Sequence, residues 1–270
     1  MKKKIALAQM TSIADVEKNL QKSLEFIQQA AQQKADLIAF PECFLFLGKD
    51  SLYQEIAEDV RGPLVELFQE QARQNDISIL MGSFPEKDPE NQRKIYNTSV
   101  LISRQGKVLE TYRKIHLFDV ELPDLRLIES ETVSAGKKVV VADHEIGKVG
   151  MTICYDLRFP NLFQQLNQAG AEIISTPAAF TYQTGKAHWL TLLQARAIEN
   201  QVYIAAPGQV GHHNKKRRSF GHSVIIDPWG KILALAPEEE CLIYADINLE
   251  TIQEVRRKMP VQSHRVPGID

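Results

Sequence analysis

Val149-Gly-Met-Thr-Ile-Cys-Tyr-Asp-Leu-Arg-Phe-Pro160 reads as a buried strand, a tight turn and the start of a helix. Val149, Met151 and Ile153 carry the apolar positions of the strand, and Cys154 falls where it ends. Pro160 fits the first turn of a helix, where its missing N–H costs nothing. Leu162, Phe163, Leu166 and Ala169 continue that helix to a stop at Gly170. A cysteine between strand and helix sits at a sharp turn, with backbone N–H groups pointing at its side chain. Such groups lower a thiol pKa and hold a developing oxyanion. The same residue also reads as a small buried hydrophobe, the usual state of a free cysteine.

Outward from this stretch, strands and helices alternate. Residues 4–9 and 35–40 read as strands around a long helix capped by Ser12 or Asp15. Val16, Leu20, Leu24, Ile27 and Ala31 mark one face of that helix. Helical patterns follow at 51–60 and 63–75, then a strand at 77–84 closed by a polar loop at 85–93. Strands at 96–103 and 107–112 flank Arg104-Gln-Gly106, a hairpin signal. Another pair spans 138–141 and 148–153. A strand at 171–175 and a helix at 185–199 come next. Strands at 201–207, 222–226, 232–235 and 242–246 precede a helix at 249–258 capped by Asn248, and the tail from Pro260 is irregular. Strand–helix–strand units interrupted by hairpins exclude a purely parallel sheet. They fit a mixed sheet, or two sheets packed together with helices outside.

The chain has 270 residues, of which 44% are hydrophobic and 24% charged, the proportions of an ordinary globular protein. A core is within reach at this size without staples. A net charge of −2 gives no global field toward nucleic acid or an acidic membrane. The apolar run after Met1-Lys-Lys-Lys4 is too short for a signal peptide or a transmembrane helix. Cys43, Cys154 and Cys241 are odd in number and far apart, which argues against a disulfide framework or a zinc site. A cytoplasmic location is expected. The adjacent His212 and His213 cannot share one helix face as metal ligands, and the basic run 212–218 reads as a solvated loop. One domain over 1–270 is expected, with a core at 4–246 and a helix and tail at 247–270.

Three further charged residues interrupt apolar surroundings. Glu42 follows the strand ending at Phe40, near a sheet rim where α/β active sites gather. Lys114 stands at the end of a strand in Tyr112-Arg-Lys-Ile-His-Leu-Phe-Asp119. Glu129 follows a loop in Leu127-Ile-Glu-Ser130. Taken singly, each also reads as a solvated or capping side chain.

Phe40-Pro-Glu-Cys43, Tyr112-Arg-Lys-Ile-His-Leu-Phe-Asp119 and Cys154-Tyr-Asp-Leu-Arg-Phe-Pro160, in this order and at these separations, resemble the carbon–nitrogen hydrolase (nitrilase) superfamily. Gly185-Lys-Ala-His-Trp189, Ala195-Arg-Ala-Ile-Glu-Asn200 and Asp227-Pro-Trp-Gly230 extend the resemblance over almost the whole chain. It implies an α/β fold, a four-layer α-β-β-α sandwich with two mixed sheets. It implies a homodimer, and neither a metal nor an organic cofactor. By the same resemblance Glu42 takes the general-base place, Lys114 the triad lysine, Cys154 the nucleophile, and Glu129 a second glutamate that positions base and leaving group.

Such residues suit amide hydrolysis. A thiolate attacks the carbonyl carbon, a carboxylate shuttles the proton to leaving ammonia, and Lys114 with the Tyr155 N–H holds the oxyanion. Arg158 has the fork geometry that grips a carboxylate; it equally fits an ion pair with Asp156. Phe180 and Thr181 are expected beside it on the substrate. The chain is most similar to the Nit branch, and Gly211-His-His-Asn-Lys-Lys-Arg-Arg-Ser-Phe-Gly-His222 favours a deaminated-glutathione amidase over an omega-amidase acting on α-keto-glutaramate. Additional basic groups there suit a longer substrate with a distal carboxylate. A nitrile hydrolase with the same triad is a further alternative, although the stretch after Pro260 is shorter than the extension of true nitrilases. A non-catalytic binding protein on this fold would have lost part of the triad. No nucleic-acid or membrane partner is expected.

Overall fold

The computed structural model describes residues 2–122 and 125–266; the end of the tail, 267–270, lies outside the described residues. The chain starts with β1 (Lys3–Gln9), α1 (Val16–Gln32) and β2 (Leu37–Ala39). Next come α2 (Pro63–Asn75), β3 (Ser78–Lys87), β4 (Ile95–Ile102) and β5 (Val108–Arg113). A small hairpin, β6 (Asp119–Leu122) and β7 (Leu125–Ile128), leads to β8 (Val141–Ala142) and β9 (Val149–Met151). Then follow α3 (Pro160–Gln168), β10 (Ile173–Ser175), α4 (Tyr182–Asn200) and β11 (Tyr203–Ala206). A second hairpin, β12 (Val210–His212) and β13 (Arg218–Phe220), precedes β14 (Val224–Ile226), β15 (Ile232–Leu235), β16 (Cys241–Ile247) and α5 (Glu250–Lys258).

Two six-stranded sheets result, ordered β16-β1-β2-β3-β4-β5 and β15-β14-β11-β10-β9-β8. Each is mixed. β1, β2 and β3 run parallel in the first, β9, β10 and β11 in the second, with antiparallel strands outside them. Parallel strands need both faces covered. The sheets cover one face of each other: Leu7 and Ala39 share a core with Met151, Ile173 and Ala205. Ile27 of α1 and Val65 and Phe68 of α2 pack on Ala6, Ile38 and Ile79 across the outer face of the first sheet. Phe163 of α3 and Leu193 of α4 join the core of the second. The layers are therefore α-β-β-α, the sandwich implied by the motifs. β2 and β9 release Glu42 and Cys154 to the same rim, in the gap between the sheets.

Several local expectations need correction. The most buried residues of α1 are Asn19, Ser23, Ile27 and Ala30, with Leu20 and Leu24 only half-buried. Asn19 earns its place by bonding the backbone of Ile13 and Leu45, a role that hydrophobic periodicity does not reveal. The helix expected at 51–60 is a short 3-10 turn, Asp50–Leu52, followed by turns. The Glu58 N–H donates to Pro85 O, and its carbonyl accepts from Lys87 N–H, so this backbone extends the edge of β3 instead of coiling. For the same reason β3 runs on through Pro85 to Lys87, where a loop was expected. The β6–β7 hairpin before Glu129 was unforeseen. The basic run 212–218 is, as expected, a largely solvated loop: it forms the tip of the β12–β13 hairpin, with His212, Lys215 and Lys216 exposed and His213 buried. Asn248 acts as expected, its Oδ1 accepting from Glu250 N–H at the start of α5. The irregular tail holds a 3-10 turn, Val261–His264.

Candidate active site

Glu42 is fixed by its backbone as much as by its partners. Phe40 N–H donates to Leu80 O, holding the end of β2 against β3. A Cβ on Gly82 would overlap the carbonyls of Phe40 and Pro41, so only glycine allows this approach. Gln209 donates to the Glu42 carbonyl at 3.0 Å. Oε1 of Glu42 then lies 2.8 Å from Lys114 Nζ and 3.0 Å from Asn97 Nδ2, and Oε2 accepts the Ala179 N–H at 2.9 Å.

Lys114 leaves β5 with its N–H on the Asn97 carbonyl and its own carbonyl on the Gly136 N–H. Its Nζ also reaches both oxygens of Glu129, at 3.0 and 2.9 Å. Glu129 opens a 3-10 turn after β7 and accepts the Phe118 N–H at 2.6 Å. One ammonium is thus shared between two carboxylates, and Asn97 bridges both carboxylates, at 3.0 Å to Glu42 and 3.4 Å to Glu129.

Cys154 begins the 3-10 turn Cys154–Arg158 with φ +49°, a left-handed conformation uncommon outside glycine. Such strain is held only where the surroundings over-determine it. Here the Cys154 N–H donates to Pro177 O, and the carboxylate of Asp156 clamps the turn through the Ile153 N–H. Asp156 is fully buried; it also takes the Tyr112 hydroxyl at 2.6 Å, the His116 N–H at 3.0 Å and His116 Nδ1 at 2.7 Å. Tyr112 and His116 flank Lys114, so this one carboxylate registers the cysteine turn against the lysine segment.

Charge and burial set the resting protonation. Burial pushes the Glu42 carboxyl up, but the Lys114 charge and the hydrogen bonds from Cys154, Lys114 and Ala179 outweigh it and hold it below its usual range. Burial would lower Lys114; Glu129 and Glu42 instead raise it well above an ordinary lysine. The Cys154 thiol is pushed well up, by burial and then by the Glu42 charge. The resting arrangement is therefore carboxylate, ammonium and neutral thiol.

These groups line one pocket, with about 890 Å³ of empty space including its open mouth, ample for a small-molecule substrate. Residues 4–257 match the carbon–nitrogen hydrolase family. The chain belongs to the carbon–nitrogen hydrolases. It is 43% identical to a protein of Dictyostelium discoideum named deaminated glutathione amidase, over 97% of this chain and 94% of that one. The crystal structure of the Caenorhabditis elegans NitFhit protein superposes with a TM-score of 0.93 at 41% identity, covering 98% of this chain and 65% of that longer one. Saccharomyces cerevisiae Nit3, a member of branch 10 of the nitrilase superfamily, gives a TM-score of 0.89 at 34% identity, covering 98% and 96%. The protein is accordingly a hydrolase of non-peptide carbon–nitrogen bonds. Among the described residues, no helix is long and apolar enough to cross a membrane.

All eight residues singled out in the sequence of this carbon–nitrogen hydrolase line the same pocket: Glu42, Lys114, Glu129, Cys154, Tyr155, Arg158, Phe180 and Thr181. The ion pair with Asp156, one of the two readings of Arg158, is not formed. Asp156 is fully engaged elsewhere, and the Arg158 guanidinium lies 3.3 Å from His188 Nδ1 and over the Tyr155 and Phe180 rings, at 5.8 and 5.4 Å. Sequence reasoning missed Asn97. Asn97 is a polar residue on the inward face of β4, a signal that a strand pattern alone could have raised. Arg217, one of the basic groups of 211–222 expected to suit a distal carboxylate, also lines the pocket.

Proposed function

We propose that the protein is a cysteine-dependent amidase whose substrate is deaminated glutathione. The reading is carried by the sharing of Lys114 between Glu42 and Glu129 beside the hydrogen-bonded Cys154 thiol. Glu42 accepts the thiol proton as Sγ attacks the amide carbonyl carbon. A thiol this reluctant to ionise needs that neighbouring base at the moment of attack. The carbonyl oxygen becomes an oxyanion held by Lys114 and the Tyr155 N–H, which stands at the start of its turn where backbone donors lack helical partners. Collapse breaks the carbon–nitrogen bond, and the proton on Glu42 passes to the departing amine. Water then gives a proton to Glu42 and attacks the thioester, freeing the carboxylic acid and the thiol. Glu129 keeps Lys114 charged and oriented throughout.

The substrate reading rests on the name of the Dictyostelium relative together with the cations at the pocket. Glutathione is γ-glutamylcysteinylglycine; its deaminated form is a keto acid joined by an amide to cysteinylglycine. The leaving group is then that dipeptide amine, not ammonia, which is the product from the shorter α-keto-glutaramate. Arg158, stacked on Tyr155 and Phe180, would hold the keto-acid carboxylate, with Thr181 beside it. One domain, a homodimer and a cytoplasmic location complete the reading. Mass spectrometry of turnover on deaminated glutathione and α-keto-glutaramate side by side tests it: the longer substrate should be preferred. A preference for α-keto-glutaramate would make the protein an omega-amidase, and turnover of nitriles alone would overturn the amidase assignment.

A further inference from the structure

The β12–β13 hairpin is built to hold its tip in one place. Val210 N–H donates to Met10 O, and Val210 O accepts the Thr11 hydroxyl at 2.7 Å. His213 is buried inside the tip, its Nδ1 2.8 Å from Ser12 O and its Nε2 2.8 Å from the Ser219 hydroxyl. Its backbone N–H donates to Arg217 O, closing the turn. Asn214 Oδ1 accepts the N–H groups of Lys216 and Arg217, at 2.8 and 2.9 Å. The turn is held by its own hydrogen bonds, although its basic side chains are mostly exposed.

Within it, neighbouring arginines go to different places. Arg218 lies 3.6 Å over the Tyr182 ring and pairs with Glu238 at 3.3 Å. Arg217 lines the active-site pocket, and its charge acts on the thiol of Cys43, next to Glu42. Lys215 and Lys216 are exposed. The pocket therefore receives two arginines from separate elements. Arg158 comes from the turn that carries Cys154, and Arg217 from the hairpin on the Cys43 side. A substrate with a carboxylate at only one end needs one of them; a substrate acidic at both ends uses both.

We infer that Arg217 is a specificity residue that binds a carboxylate on the leaving-group side of the scissile amide. On the substrate proposed above, on which this inference rests, that group is the glycine carboxylate of the departing dipeptide. Guanidinium suits it, since two parallel N–H donors match two carboxylate oxygens. His213, its ring tied to Ser12 and Ser219, donates its N–H to the Arg217 carbonyl and so fixes the backbone from which that side chain leaves.

The test compares deaminated glutathione with α-keto-glutaramate, which has no distal carboxylate, in wild type, Arg217→Gln, Arg217→Lys and Lys216→Gln. Arg217→Gln should lose about 10–100-fold in kcat/KM on the longer substrate, mainly through KM, the range of one charge-assisted interaction. It should change the shorter substrate no more than a few-fold. Arg217→Lys should recover part of the loss, and Lys216→Gln should match wild type on both. Equal losses on the two substrates, or no loss on the longer one, would overturn the role of Arg217 while leaving the amidase reading intact. Failure of wild type to turn over the longer substrate would sink that reading itself. A melting temperature for each variant separates a misfolded hairpin from a lost contact, and a cysteinylglycine amide whose glycine carboxylate is replaced by a neutral carboxamide repeats the test without mutation.

Discussion

Nζ of Lys114 lies 2.8 Å from Oε1 of Glu42, and neither side chain is more than 6% exposed. In such a place the partners do not contribute equally. Glu42→Gln removes a base but leaves Lys114 paired with Glu129. It should stop both acylation and thioester hydrolysis, because each needs a proton acceptor, with little loss of stability. Lys114→Met leaves two carboxylates side by side without their cation. Activity should fall by at least the roughly 10²–10³-fold that removing one oxyanion donor costs. Stability should also fall, by roughly 3–5 kcal/mol, since an uncompensated charge remains buried. Single-turnover kinetics and chemical denaturation of both variants check this; wild-type rates in either would contradict the assignment.

The three cysteines should separate cleanly. Cys154 is the thiol hydrogen-bonded to Glu42, whereas burial pushes the Cys43 thiol up to about 12 and its side-chain partner is Tyr53. Without a carboxylate to take its proton, Cys43 stays a thiol. Cys154→Ala should abolish turnover and keep the fold, Cys43→Ala should cost at most a few-fold, and Cys241→Ala, on β16, nothing. Mass spectrometry should find a substrate-derived thioester on Cys154 in wild type. Retained turnover in Cys154→Ala would end the covalent mechanism.

How far the sequence reached depends on what held each element. Strong periodicity with clear stops located α2 and the strand–turn–helix around Cys154, because burial and local propensity agree there. Asn19 and Ser23 displaced Leu20 and Leu24 from the most buried face of α1: Asn19 bonds the Ile13 and Leu45 carbonyls outside the helix, partners no local pattern shows, and the Ser23 hydroxyl is satisfied within α1 by the Asn19 carbonyl. The 51–60 stretch is helical by pattern yet gives its backbone to β3. At the site, Glu42, Lys114 and Cys154 were legible through their motifs. Their joint geometry was not, because it comes from contacts such as Asn97 to Glu42, 55 residues apart, and Ala179 to Glu42, 137 residues apart.

Acid should loosen the molecule through its buried histidines. Burial holds both His144 and His213 down, from 6.5 to about 4. His213 is neutral, with Nδ1–H donating to the Ser12 carbonyl. A depressed histidine binds protons more readily when unfolded, so its stabilisation is complete above pH 6.5 and is lost as pH falls toward 4. For His213 the loss approaches about 3 kcal/mol at most. The melting temperature should fall over that window, and His213→Gln should flatten the fall while lowering stability at pH 7. An unchanged slope in the variant would show that His213 is not a source of the acid sensitivity.

On the function proposed above, specificity for the keto-acid end is assigned to Arg158. It stands four residues after Cys154, on the same turn, with its guanidinium at His188 and over the rings of Tyr155 and Phe180. Asp156 being spent on Tyr112, His116 and Ile153, no carboxylate neutralises Arg158 through the turn itself. A bidentate pair with a keto-acid carboxylate would aim the amide carbonyl at Cys154 and Lys114. Arg158→Lys keeps the charge but loses the fork. It should lower kcat/KM about tenfold or more on α-keto-glutaramate and on deaminated glutathione alike, the loss of one charge-assisted bond, while sparing a small neutral amide such as propionamide. If Arg158 merely braces the turn against His188, acidic and neutral amides should fall together and the melting temperature with them. His188→Ala is the companion variant: it removes the brace but not the fork, so the acidic preference should survive it.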